Sequence, residues 1–86
     1  MSNIEWVMGG YYTDHKGAIW CCFDVANAHG TSYRLIQVRD SEGKRINAVK
    51  PRWFEEEGWS VPRTLLSPLQ IIRGPHKHPE ENTDAT

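Results

Sequence analysis

The chain has no long apolar run. No window approaches the roughly 18 residues that a membrane-spanning helix requires, so no such helix and no membrane partner are expected. Cysteine is scarce as well: the only two are the neighbours Cys21 and Cys22. Zinc sites are usually marked by C-x₂₋₄-C or H-x₃₋₅-H pairs, and neither "CC" nor "HKH" (76–78) has that spacing. No metal or other cofactor is therefore expected. A phosphate-binding glycine loop is missing, because Gly9-Gly10 lacks the Walker lysine and a following helix. Net charge is nearly absent, at −1 for 86 residues, which argues against a general binder of polyanions. The stretch "MSNIEWVMGGYY" is not a basic segment followed by an apolar one, so no secretion signal is read there. A cytoplasmic, reducing setting is expected, where a structural disulfide is unfavoured.

The remaining composition describes one small domain. Four Trp, three Tyr and two Phe supply large buried area in a chain of modest hydrophobic content. Charge is distributed unevenly. Arg34, Arg39, Lys44, Arg45, Lys50 and Arg52 face only Asp40 and Glu42 in the same stretch, whereas the end of the chain is acidic. No internal repeat or interdomain linker is visible. The expected division is a domain over 1–73 and a polar, disordered tail over 74–86.

Periodicity points to strands. In "AIWCCFDVA", Ile19, Cys21, Phe23 and Val25 alternate with Trp20, Cys22, Asp24 and Ala26, a period of two. The first set is the more apolar and is expected to face the core. "TSYRLIQV" (31–38) reads as the next strand. A loop at 40–43, with Gly43 at its bend, would return it onto "RINAVK" (45–50), setting Leu35 opposite Ala48 and Gln37 opposite Ile46. "IEWVMGGYYT" (4–13) reads as a first strand interrupted by its glycine pair. "RWFEEEGW" is expected to hold one short helical turn ended by Gly58. A turn at Ser67-Pro68 precedes a last strand, Leu69 to Arg73. The fold class is thus all-β, or β-rich with that one turn: a strongly curled antiparallel meander or barrel of four or five strands. By analogy it is SH3-like or OB-like.

Adjacent strand residues point to opposite faces, so Cys21 and Cys22 cannot easily share one metal. Cys21 is expected to pack in the core and Cys22 to be the more exposed. A thiolate enzyme would need Cys22 with His29 or His15 as base, a weak second alternative. The expected function is non-catalytic binding through Arg34, Arg45, Lys50, Arg52, Trp53 and Trp59. The partner expected first is a protein, a second copy included, in an adaptor or inhibitor role. Arginine forks and tryptophan rings are the groups enriched at interface hot spots. The alternative is single-stranded DNA or RNA, held by cations and stacked on aromatics. The acidic run Glu55–Glu57 between the two tryptophans favours the protein.

Overall fold

A computed structural model of the chain describes residues 4–27, 30–47, 50–60 and 69–77. The fold is all-β, with no helix among these residues. Five strands, β1 (Tyr11–Asp14), β2 (Ile19–Ala26), β3 (Ser32–Arg39), β4 (Arg52–Glu55) and β5 (Ile71–His76), form one antiparallel sheet. Their order is β4-β3-β2-β1-β5, a meander whose last strand returns beside the first. Among the described residues the ladder does not close: β4 and β5 are its edges. Isolated bridges at Phe54–Ser60 and Trp59–Gln70 step from one edge toward the other.

One turn design is used three times. Asp14-His-Lys-Gly17, Asp40-Ser-Glu-Gly43 and Glu55-Glu-Glu-Gly58 each begin with an acid and place glycine three residues later. In each, the glycine N–H donates to the acid's carbonyl, and the acid's N–H donates to the residue after the glycine. All three glycines have positive φ, from 88° to 94°, which suits a residue without Cβ. The two aspartates add Asx bonds. Asp14 Oδ1 accepts from the N–H of Lys16 and Ala18, and Asp40 Oδ1 from Glu42 and Lys44. The helical turn expected before Gly58 is therefore a hairpin turn, and the residues ahead of it are β4.

The partner of β3 differs from the expected one. Arg45 bridges Arg39 and Ile46 N–H reaches the Val38 carbonyl, but pairing then passes to β4, with Leu35 opposite Arg52 and Tyr33 opposite Phe54. Ala48 and Val49 lie outside the described residues, as do the Ser67-Pro68 turn and residues 78–86. β4 begins directly after Pro51 and lies at a sheet edge, where a proline costs no ladder bond. At the other edge β5 runs on past Arg73 through Gly74 and Pro75 to His76, which pairs with Tyr11.

The core is Tyr12, Ala18, Trp20, Cys22, Leu35, Phe54 and Ile71. The inward face of β2 is thus Trp20 and Cys22. As far as Phe23, the face chosen from apolar count is the outward one: Phe23 is exposed and Cys21 only half-buried, while Val25, past the register shift, pairs with Tyr33 and is exposed near the strand end. The reason lies in Asp14, a residue only 1% exposed. Its Oδ2 accepts the Trp20 indole N–H at 2.9 Å, so the ring enters the core with its polar atom satisfied. Trp20 then meets Phe54 edge-on at 5.3 Å. The arm before β1 covers the core from one end: Trp6 stacks on Tyr33 at 4.5 Å and leans on Tyr12. Tyr12 Oη donates to the Glu5 carbonyl and accepts the Val7 N–H.

Candidate binding face

The outward face of β2, β3 and β4 carries the most distinctive side-chain arrangement. A register shift in β2 lies between Cys22 and Asp24, so Phe23 and Asp24 both stand across from Arg34. A bulge of this kind sets two residues against one on the neighbouring strand. Arg34 in turn pairs with Trp53. The guanidinium carbon lies 5.3 Å from the Phe23 ring centroid and 5.0 Å from that of Trp53. Arg34 Nη2 donates to Asp24 Oδ2 at 2.7 Å, while Asp24 Oδ1 accepts the Val25 N–H. The result is one cation between two rings, tethered by one carboxylate.

The electrostatics follow from these contacts. The hydrogen bond from Arg34, followed by that from Val25 N–H, holds the Asp24 carboxyl below the ordinary aspartate range. Arg34 has unused capacity. Its Nη1 makes no bond to the described residues, whereas Nε is buried, without a partner among them, and closed to an incoming group. Each stacked ring contributes about 0.5–1 kcal/mol at such an exposed site.

The six residues expected from sequence separate into groups. Arg34 and Trp53 are in contact. Trp59 shares their side of the sheet: its neighbour Ser60 is buried opposite Phe54, so Trp59 stands outward, across from Glu55, and is 45% exposed. Arg52 pairs with the fully buried Leu35 and so belongs to the inward side of β4. Arg45 and Lys50 are exposed and lie outside the strands. Sequence reasoning missed Phe23, assigned to the core, and Asp24. A lone acid in an apolar strand, opposite an arginine on the next strand, was the available signal for Asp24.

A shallow cleft of about 250 Å³ adjoins this face, lined by Gly30, Thr31, Ser32, Glu55, Glu56 and Glu57. The cysteines do not resemble an activated nucleophile. Cys22, expected to be exposed, is fully buried and lies 3.8 Å from the Asp24 carbonyl. Burial pushes both thiols up, further from the thiolate form. His15 accepts the Gln70 N–H through Nδ1, and His29 lies outside the described residues. Among the described residues, no three His, Cys, Asp or Glu gather as a metal site would require. No helix there is long and apolar enough to cross a membrane. Comparison with known proteins finds no matching family, curated protein or solved structure.

Proposed function

We propose that this domain is a non-catalytic protein-binding module, in an adaptor or inhibitor role, that engages its partner through Phe23, Arg34, Trp53 and Trp59. One observation carries the reading: Arg34 is clamped between Phe23 and Trp53, with Nη1 unbonded to the described residues. A guanidinium fixed in this way loses little freedom on binding, and aromatic rings with arginine are typical hot-spot groups. Nucleic acid fits less well. Asp24 offsets the charge of Arg34, Arg52 turns inward, and Glu55, Glu56 and Glu57 lie beside Trp59. The setting proposed is the cytoplasm, where two free thiols are stable.

The full chain used as bait in lysate of its host, with and without nuclease, tests the proposal. A protein retained after nuclease and lost with Trp53→Ala bait is expected. The loss should be about thirtyfold in affinity, the scale of a hot spot. Release of all bound material by nuclease would favour the nucleic-acid reading instead.

A further inference from the structure

We propose that the occupant of this face is a second copy of the chain, related by a two-fold axis; this step rests on the protein-binding reading above. The face has two halves. In one, Arg34 lies between Phe23 and Trp53 with Nη1 unbonded to the described residues. In the other, Glu55 is exposed, with Trp59 across from it and Glu56 and Glu57 next in the turn. The halves are consecutive on one ladder. Arg34 pairs with Trp53 and Ser32 with Glu55, so on this side they are neighbouring side-chain pairs.

This order of charges selects the occupant. A polyanion drawn to Arg34 would meet Glu55, Glu56 and Glu57; a polycation drawn to those acids would meet Arg34. A surface with an acid beside an aromatic and a cation on an aromatic, in reversed order, brings its acid to the Nη1 of Arg34, whose Nη2 is already held by Asp24, and its cation to Glu55, Glu56 and Glu57. The rotated image of the face is such a surface. In a two-fold contact residue i meets j and j meets i. Arg34 then faces Glu55 of the partner subunit, and Glu55, which with Ser32 lines the shallow cleft, faces the partner subunit's Arg34. Because the contact uses the same patch on both copies, assembly stops at two.

Sedimentation equilibrium of the full chain, from micromolar to millimolar at low salt, is the test. Reversible dimerisation within that concentration range is expected. Arg34→Glu and Glu55→Arg each set like charges together twice per dimer, and each should weaken association roughly a hundredfold. Mixed one to one, the two variants bring opposite charges together again. The acid introduced at position 34 of one chain meets the base introduced at position 55 of the other, and the second contact is the native pair. The mixture should associate within about threefold of the wild type, since both contacts are restored. Glu55 is exposed at a strand end, so E55R alone still reads the contact if circular dichroism shows that R34E has lost the sheet. A chain monomeric at every concentration overturns the proposal while leaving the bait experiment to judge the protein-binding reading. Dimerisation unaffected by either reversal, or variants that do not rescue each other, overturns it as well.

Discussion

Asp14 and Asp24 are ten positions apart, near the two ends of the same β1–β2 hairpin, and their surroundings differ in one respect. Asp14 is buried, and both its oxygens are used: they accept the N–H groups of Lys16, Ala18 and the Trp20 indole, at 2.8 to 2.9 Å. Asp24 is part-exposed and tethers Arg34, whose Nη1 is unbonded to the described residues. The first is a closed set of polar groups around the core, and its role ends with the fold. The second is an open set on the outward face, with capacity that a partner can use. Substitutions that separate stability from binding probe this difference.

The largest effect is expected at the closed side, where β5 crosses β1. A Cβ on Gly74 would lie 2.5 Å from Tyr12 Cδ2 and 2.8 Å from the Tyr11 carbonyl oxygen, and φ there is +137°. Neither neighbour can retreat, because Tyr12 is fully buried and Tyr11 is in the ladder. Gly74→Ala should destabilise by about 4 kcal/mol or more, comparable to the entire stability of so small a core. Urea denaturation will show a chain largely unfolded without denaturant; a midpoint shifted only slightly would mean that β5 is not seated as described.

Asp14→Ala comes next. It leaves the Trp20 indole N–H and the Ala18 N–H buried without acceptors, at about 3 kcal/mol. Asp24→Ala, at an exposed site, should change the urea midpoint far less. Equal losses from the two would abolish the contrast between the open and closed sets.

That contrast was only partly legible in the chain. β2 and β3 followed from a period of two, and the turn at Asp40–Gly43 from its glycine. Which face of β2 turns inward did not follow. Alternation defines two faces without ranking them, and the count of apolar groups favoured Ile19, Cys21, Phe23 and Val25. The deciding bond joins Trp20 to Asp14 across a hairpin, and a buried aspartate looks the same in sequence as a solvated turn residue. The bulge at Phe23 then interrupts the alternation: Phe23 already stands outward after Cys22, and the extra residue turns Asp24 out beside it, across from Arg34. β4 was hidden for a similar reason. "RWFE" alternates, but it sits between Pro51 and three glutamates, where local preference opposes a strand and pairing with β3 overrides it. For the candidate site, Arg34, Trp53 and Trp59 were legible from residue type, while the inward turn of Arg52 depends on a register no local pattern specifies.

The two thiols give a smaller effect that sharpens the same division. Cys22 belongs to the closed core and Cys21 to the outward face, paired across the ladder with Tyr11. Burial raises both thiols, so both should react slowly with a thiol reagent at neutral pH. Cys22 should be at least about tenfold slower than Cys21, because it reacts only when the sheet opens. Equal rates would place the two on equally accessible faces and contradict the inward assignment of Trp20 and Cys22.

The smallest expected effect concerns Asp24 itself. Its carboxyl is held low in the folded chain by the Arg34 hydrogen bond first and the Val25 N–H second. The folded value therefore lies below the unfolded one. The stabilisation is fully present above the ordinary aspartate value near about pH 4, and is lost as pH falls through the folded value. The carbon shift of the Asp24 carboxyl should accordingly titrate below that of an ordinary aspartate. Arg34→Met keeps much of the stem between Phe23 and Trp53 but removes the donor. In that variant the midpoint should move up toward the ordinary value, and the loss of stability that Asp24 contributes on acidification should shrink, because its folded and unfolded values then nearly coincide. High salt should move the wild-type midpoint only part of the way, because screening weakens the charge interaction more than a direct hydrogen bond. An Asp24 midpoint identical in the wild type and Arg34→Met would mean that the tether between them does not persist in solution. The face would then have no clamped guanidinium to offer a partner.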